Sequence, residues 1–445
     1  MSIFLPAKQY EPSTEQERLR RAVLLSFQDG PSSHLSQLLR LSARQWYALL
    51  QWLDTSGLAL YLYDRLEYLK LIDCLPAEIA DRLRQNLADN SQRTNSMFAE
   101  AVQIQELFRQ ENLEYLLLKG FSLVPFSVAR PELRSQLDLD FLITADAIDK
   151  ARRILEDRGY VVHAVSGRSW EFKTTHPHAG SLRDLYKDRP ARNIELHVEA
   201  RPGEVGTRVA DGEWRIVCGY EMPVLPATQL FLGQVNHLYK HVSTGFFRCS
   251  HLLELYRHIA ARHDDAEFWS DVNKVVQCNE RLVLPLGVTT SLLTQVMGEF
   301  APQALVQYVD RLITPVLLWT EKIGPRCAYA TWPGNKLHLL LQREITAENI
   351  AKRASLPQAL LPRKLPPPIA HPPENEKLAA RAQRYWQQLA YILFRLRYHI
   401  VTGVQYAWEL VRWRRLKKHY AGQQNVTTSY SHGTSASADI AVTNK

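Results

Sequence analysis

The sequence lacks closely spaced cysteines, long uncharged apolar runs and a basic segment followed by an apolar one at its start. Its five cysteines are scattered along 445 residues, which excludes a cysteine-based zinc motif and favours reduced thiols in the cytoplasm. No run of about 18 uncharged apolar residues, the length that spans a membrane, is present. Residues 1–12 show no signal-peptide pattern, so no secretory signal is expected. We therefore expect a cytoplasmic protein.

Composition and charge set the broad class of the protein. Hydrophobic residues make up 46% and charged residues 22% of the chain, which is typical of a globular protein. The length is enough for one large core with two or three subdomains. The net charge of +8 suits a polyanionic substrate.

A pair of carboxylates on one predicted strand is the strongest chemical signal. Glu114 to Gly120 reads as a hydrophobic strand that ends in Lys-Gly, and farther on Asp138 and Asp140 alternate with Leu and Phe. This alternation predicts a half-buried strand with both carboxylates on one face, their α-carbons roughly 6.6 Å apart. Unpaired, the two charges repel each other, and a divalent cation such as Mg²⁺ removes that cost. We expect Asn at either position to leave the fold intact or slightly more stable.

A second acidic strand is predicted at residues 193–200. One face carries polar side chains: Asn193, Glu195, His197 and Glu199. The alternating residues are apolar. Beside the first acidic strand, Glu195 would complete a three-carboxylate cluster able to hold two metal ions for phosphoryl transfer. The alternative is that Glu195 and Glu199 form the solvated face of an edge strand.

Taken together, these segments resemble a known family. The residues that carry the resemblance are Lys119-Gly120, Arg134, Asp138-Leu-Asp140 and Glu195-Leu-His197. Their order and spacing are similar to the uncharacterised bacterial nucleotidyltransferase family of the DNA polymerase β superfamily. The resemblance covers residues 113–200, and a weaker likeness extends to about residue 258. One departure is that Gly120 is followed by Phe121 before Ser122, whereas the superfamily has Gly-Ser or Gly-Gly.

The resemblance implies an α+β polymerase β-like nucleotidyltransferase core with a mixed sheet, flanked by N-terminal and C-terminal helical regions. It implies transfer of NMP from an NTP such as ATP to an acceptor, with release of pyrophosphate and with Mg²⁺ or Mn²⁺ as cofactor. The residues implied to be catalytic and to bind metal are Asp138, Asp140 and Glu195. Those implied to bind the nucleotide are Lys119, Gly120, Ser122, Arg134 and His197.

The residue types also fit these roles physically. A glycine at a strand-to-helix turn lets the backbone approach a phosphate, and Lys119 and Arg134 can neutralise phosphate charge. The alternatives are that Lys119 is a solvated strand end and that Arg134 forms a structural salt bridge with Asp138 or Asp140.

Three function classes remain open. The first is a nucleotidyltransferase whose acceptor is a small molecule, a protein or an RNA. The second is a non-catalytic nucleotide-binding or scaffold protein that retains the fold. The third is a glycosyltransferase that uses Asp-x-Asp with Mn²⁺, but the Lys-Gly turn and the second acidic strand favour nucleotidyl transfer.

Patterning along the chain predicts six regions. They are a helical N-terminal region (1–112), the nucleotidyltransferase core (113–205), a helical domain (206–350), a proline-rich linker (351–375), an amphipathic basic helix (376–420) and a disordered tail (421–445). Within the helical domain, His237 and His241 lie four residues apart. They favour a pair of partly buried structural histidines over a metal or phosphate site.

The predicted C-terminal helix ends in the basic sequence Arg412 to Lys418, which contains one tryptophan. Three interpretations compete for this helix: packing on the rest of the protein, contact with a membrane surface, and contact with nucleic acid.

Overall fold

The computed structural model of the chain describes residues 11–12, 14–28, 33–174, 184–188, 192–201, 206–245, 247–346, 359–360, 362 and 378–433, with backbone alone from residue 421. Two compact units are present. The first comprises Met1–Ile313 and Thr320–Gly334, and the second comprises Thr314–Trp319 and Asn335–Lys445. Within the described ranges, no helix is both long and apolar enough to cross a membrane.

Helices make up most of the described chain. In chain order they are α1 (Glu15–Leu25), α2 (Ser33–Leu39), α3 (Ala43–Ser56), α4 (Ala59–Tyr68), α5 (Ala77–Gln110), α6 (Ile148–Asp157), α7 (Ala227–Thr244), α8 (Cys249–Ala261), α9 (Ala266–Cys278), α10 (Val283–Met297), α11 (Gln303–Val309), α12 (Thr314–Lys322), α13 (Gly324–Ala328), α14 (His338–Ile345) and α15 (Leu378–Gly433).

A seven-stranded sheet lies in the first unit, in the order β3-β4-β5-β2-β1-β7-β6. The strands are β1 (Tyr115–Leu117), β2 (Asp138–Ile143), β3 (Tyr160–Ser166), β4 (Ser169–Thr174), β5 (Asn193–Val198), β6 (Glu213–Val217) and β7 (Tyr220–Val224). The pairs β2–β5 and β1–β7 are parallel, and the other neighbours are antiparallel. The predicted α+β class with a mixed sheet and flanking helices is confirmed.

The apolar face of the sheet forms the core of the first unit. Leu139, Phe141 and Ile143 of β2 are buried together with Ile194 and Leu196 of β5. The long helix α5 contributes four side chains to the same cluster: Met97, Ala101, Ile104 and Phe108. Because this face is filled by apolar contacts, the alternating polar residues of both strands are left on the opposite face. The predicted boundary at residue 112 stays a prediction.

A β-hairpin stands where the sequence predicts only helices. Strands β6 and β7 fall within residues 206–350 and extend the sheet beyond β1. They are joined by Cys218 and Gly219, whose φ angles of 50° and 83° fit the two-residue turn that matches strand twist. In the sequence, the hairpin is indicated only by a short alternating segment on each side of a Cys-Gly pair. The prediction that residues 206–350 are helical is wrong for β6 and β7.

The second unit contains α14 and α15. Helix α15 runs from Leu378 to Gly433, so it starts close to the predicted residue 376 but continues past the predicted end at residue 420. Extending a formed helix costs little compared with nucleating one, which accounts for the continuation into a polar sequence. Nearly all of the predicted proline-rich linker, and residues 434–445 of the predicted tail, lie outside the described residues.

Candidate active site

The parallel pairing of β2 and β5 positions the candidate site. Asp138 is opposite Asn193, and Asp140 is opposite Glu195. Since parallel partners in register point to the same face, Glu195 lies beside the Asp-x-Asp pair as the sequence predicts. Glu199 lies beyond the end of β5, and its Oε2 accepts a hydrogen bond of 2.9 Å from the backbone N–H of Val209.

Three side chains converge at this point of the sheet. His197 Nε2 lies 3.0 Å from Asp140 Oδ1 and 3.2 Å from Glu195 Oε2. One ligand atom from each of Asp140, Glu195 and His197 lies within 4.8 Å of the other two, and within the described ranges no other group of His, Cys, Asp or Glu has this spacing. The imidazole of His197 therefore bridges Asp140 on β2 and Glu195 on the neighbouring strand β5.

Lys119 completes the neutralisation of Asp140. Its Nζ lies 2.8 Å from Asp140 Oδ1, the same oxygen that faces His197. The carboxylate of Asp140 is almost fully buried, with 2% of the side chain exposed. Lys119 is therefore an ion-pair partner at the site rather than a solvated strand end.

The electrostatics of the cluster follow from these contacts. Burial alone would raise the pKa of Asp140, but the hydrogen bonds and charges of His197 and Lys119 outweigh it and lower that pKa to about 2. The hydrogen bond from His197 also lowers the pKa of Glu195. Burial would lower the pKa of His197, yet its hydrogen bonds to Asp140 and Glu195 raise it to about 9. At neutral pH, His197 is thus a cation between two carboxylates.

Asp138 differs from Asp140 despite sharing its strand face. Burial, followed by the negative charge of Asp140, raises the pKa of Asp138, while the charges of Lys119 and Arg134 oppose that rise. The expectation that both carboxylates are unpaired is wrong for Asp140, because Lys119 and His197 neutralise it. The repulsion between the two carboxylates therefore disfavours the ionised form of Asp138 rather than that of Asp140.

Arg134 is held by a residue that the sequence did not single out. Its Nε lies 3.3 Å from Glu254 Oε1 and 3.4 Å from Oε2, and Glu254 also accepts a hydrogen bond of 3.0 Å from the hydroxyl of Tyr61. The alternative that Arg134 is salt-bridged to Asp138 or Asp140 is not what the structure shows. Glu254 lies on α8, far along the chain, and no local pattern marks it.

The Lys-Gly turn is tight. Gly120 has a φ of +72° and begins a short 3-10 helix, Gly120–Leu123, and a Cβ added to it would collide with the side chain of Gln136. A glycine is required there because left-handed backbone strains other residues. Ser122 is fully buried, and its hydroxyl donates to the Leu118 carbonyl at 2.7 Å. The nucleotide-binding roles predicted for Gly120 and Ser122 stay predictions.

A cavity of about 190 Å³ opens next to Lys119 and Arg134. Its apolar wall consists of four leucines: Leu118, Leu123, Leu225 and Leu230. Its remaining lining residues include Gly233 and Gln234 on α7, together with His237 and His251. This space adjoins the two cations proposed to meet phosphate.

The histidines beside this cavity form a cluster of three rings. The ring centroids of His237 and His241 lie 4.5 Å apart, and those of His237 and His251 lie 4.9 Å apart. Burial and then the charge of Lys119 lower the pKa of His237 to about 3, and burial lowers that of His251 well below its usual value. These two rings are therefore neutral at physiological pH.

Comparison with known proteins identifies the family of the chain. A family model described as uncharacterised nucleotidyltransferase matches residues 42–293. No curated protein sequence matches the chain. Similar solved structures include the lincomycin-bound lincosamide antibiotic adenylyltransferase LnuA, with 15% identity, 37% of this chain and 96% of that chain covered, and a TM-score of 0.26.

Two further solved structures have comparable scores. The antibiotic-resistance factor ANT(2'')-Ia has 8% identity, with 42% of this chain and 93% of that chain covered and a TM-score of 0.31. A nucleotidyltransferase-like antigenic protein from Paracoccidioides brasiliensis has 13% identity, with 46% and 94% covered and a TM-score of 0.26. The family match spans more than half of this chain and contains every residue of the predicted site. The chain therefore belongs to the family described as uncharacterised nucleotidyltransferases.

Proposed function

We propose that the protein is a metal-dependent nucleotidyltransferase that transfers NMP from an NTP to an acceptor and releases pyrophosphate. The observation that carries this proposal is the register of β2 and β5. It sets Glu195 beside Asp140 and brings both carboxylates and His197 within 4.8 Å of one another, with Lys119 adjoining. Membership of the nucleotidyltransferase family supports the same reaction class.

The donor set fits a divalent cation. Asp140 and Glu195 offer carboxylate oxygens, which Mg²⁺ and Mn²⁺ prefer, and Asp138 lies two residues away on the same strand face. His197 offers an imidazole nitrogen, a ligand that several first-row transition metals accept. When bound, the cation would polarise the α-phosphate and lower the pKa of the acceptor hydroxyl. In the metal-free protein, Lys119 and His197 supply the positive charge that balances Asp140.

The chain's own residues have distinct tasks in the reaction. The acceptor oxygen forms a bond to the α-phosphorus, and the bond from that phosphorus to the oxygen bridging the β-phosphate breaks, so pyrophosphate leaves with the electron pair. Glu195, which is ionised at neutral pH, would accept the proton of the acceptor hydroxyl. Lys119 and Arg134 would neutralise the charge that develops on pyrophosphate.

In this proposal, the cavity beside Lys119 and Arg134 would bind the nucleoside of the NTP. Lys119 and Arg134 lie at this cavity, so a nucleotide whose uncharged part fills it would present its phosphates to both cations. The leucine wall suits a base face, and the amide of Gln234 and the neutral imidazoles can hydrogen-bond its edge. The acceptor would then approach from the side of Glu195.

The direct test uses the full chain with each α-labelled NTP, Mg²⁺ or Mn²⁺, and fractionated cell extract. Transfer of label to a small molecule, a protein or an RNA would identify the acceptor class. Asp140→Asn should abolish transfer, whereas Asp157→Asn, which removes an exposed carboxylate at the end of α6, should retain it. Absence of label transfer under every condition, with NTP binding retained, would favour the non-catalytic nucleotide-binding alternative.

A further inference from the structure

The net charge of the protein is concentrated in one helical segment. Residues 378–420, the part of α15 with described side chains, contain nine of the 54 basic residues and one of the 46 acidic residues, Glu409. This segment alone therefore carries a charge of +8, which equals the net charge of the whole chain. The proposed active site accounts for none of this charge.

One face of α15 is anchored within the second unit. Tyr406 and Trp413 are buried, and the indole Nε1 of Trp413 donates a hydrogen bond of 2.9 Å to Glu344, close to the end of α14. Lys417 Nζ lies 2.8 Å from both oxygens of the same carboxylate. These contacts fix the rotation of the helix about its axis.

The opposite face carries what we term the apolar stripe. Its members recur at intervals of three or four residues: Trp386, Leu389, Leu393, Leu396, Ile400, Val404, Trp408 and Val411. Each of these side chains is at least 47% exposed. Spacing of this kind places residues along one side of a helix, over roughly 38 Å from Trp386 to Val411. Exposed basic residues lie beside and beyond its C-terminal end, among them Arg412, Arg414, Arg415 and Lys418.

The positive charge of the helix and the apolar side chains of the stripe together indicate what kind of partner binds this face. A second copy of the helix would bring two segments of charge +8 together, which opposes pairing along the stripe. Nucleic acid would be attracted by the charge, but it offers nothing to a row of Leu, Ile and Val side chains. An anionic lipid surface satisfies both features at once. Its headgroups attract the basic residues, and its acyl boundary accepts the apolar side chains.

We propose that the apolar stripe and the basic residues around it form a binding surface for anionic lipid membranes. The helix would lie in the plane of the interface, with the stripe inserted at the level of the acyl boundary. Trp386 and Trp408, whose rings combine an apolar body with a polar N–H, suit that depth. This inference does not depend on the proposed catalytic activity.

The test is vesicle co-sedimentation with the full-length protein. The probes are phosphatidylcholine vesicles with and without 30% phosphatidylserine, at 50 mM and at 500 mM NaCl. We expect binding to the anionic vesicles that is at least about tenfold stronger than to neutral ones and that falls at least about tenfold at high salt. A blue shift of tryptophan fluorescence on binding would report insertion of the stripe.

Two variants with matched controls separate the apolar from the electrostatic contribution. The stripe variant, Leu393→Ser with Ile400→Ser and Val404→Ser, should lose at least about tenfold in binding. Its control is Ile216→Ser, which removes an apolar side chain of β6 that is even more exposed, at 75%, than those of the stripe variant. The charge variant, Arg414→Gln with Arg415→Gln, should lose about tenfold.

The control for the charge variant is Arg152→Gln with Arg153→Gln, two exposed arginines on α6. Both controls should bind like the unaltered protein. Circular dichroism should show unchanged helicity in every variant, since all the altered side chains are exposed.

Several results would overturn the proposal. One is the absence of binding to anionic vesicles, and another is full binding by the stripe variant. Salt-sensitive binding of single-stranded RNA, unaffected by the stripe substitutions and without vesicle binding, would show that α15 contacts nucleic acid. A dimer in analytical ultracentrifugation that the stripe variant converts to a monomer, again without vesicle binding, would show that a second copy covers the stripe.

Discussion

Asp138→Asn and Asp140→Asn should change the stability of the metal-free protein in opposite directions, although both remove one negative charge from the same face of β2. Asp140 is paired with Lys119 and His197, and its pKa is lowered. Asp138 has a raised pKa because of its burial and the neighbouring charge of Asp140. The folded protein therefore favours the charge of Asp140 and disfavours that of Asp138.

The magnitude follows from the pKa of Asp140. A group whose pKa is lowered by folding stabilises the protein above its unfolded pKa, and this contribution is lost as the pH falls through the folded pKa. The change from 3.8 to about 2 corresponds to roughly 2 kcal/mol at neutral pH. Asp140→Asn should lower the free energy of unfolding by about this much, so the sequence-based expectation of an unchanged or more stable fold does not hold at this position. Asp138→Asn should instead raise the free energy of unfolding, because the amide removes a partly buried charge beside Asp140.

The assay is urea unfolding at pH 7 in the presence of a chelator, followed by circular dichroism. The midpoint should move down for Asp140→Asn and up for Asp138→Asn, with the slope against urea unchanged in both. Asp157→Asn, at an exposed position, should leave the midpoint in place. Midpoints that move in the same direction for the two strand variants would refute the assignment of the ion pairs to Asp140.

Four further predictions concern single positions. The stability of the metal-free protein should decline by about 3 kcal/mol as the pH rises from 6.5 to about 9, because folding raises the pKa of His197; His197→Gln should remove this slope in pH-dependent unfolding. Gly120→Ala should cost roughly 1–2 kcal/mol or more in urea unfolding, since its φ is +72° and a side chain already fills the space. Glu254→Gln should cost about 3 kcal/mol by the same assay, because it leaves Arg134, whose side chain is only 17% exposed, without its charged partner. Gly233→Leu should raise the KM for NTP at least about tenfold with unchanged stability, since a Cβ there meets no atom within 4 Å and the position lines the cavity; Gly233→Ala should leave KM nearly unchanged.

The two acidic strands could be predicted because the alternation of polar and apolar residues that marks a strand is visible in consecutive positions of the sequence. A strand sends every second side chain to the same face, so Asp138 and Asp140 had to share one face once Leu139 and Phe141 were buried. The order of these segments along the chain was enough to indicate the family that the family match then showed. The mixed sheet followed from the same patterns, whereas the β6–β7 hairpin was missed because its alternating segments are short.

The partners of the site residues were decided only by the tertiary structure. Which carboxylate is paired depends on where Lys119 and His197 lie once β1, β2 and β5 are assembled, and residue spacing within β2 carries no information about that. Arg134 meets Glu254 because α8 packs near it, although 120 residues separate the two in the chain. For helix α15, too, the sequence predicts the helix but only the tertiary structure decides its contacts. Its apolar spacing is local and predicts a helix, but the contacts of Trp413 with Glu344 determine which face is anchored and leave the opposite face exposed.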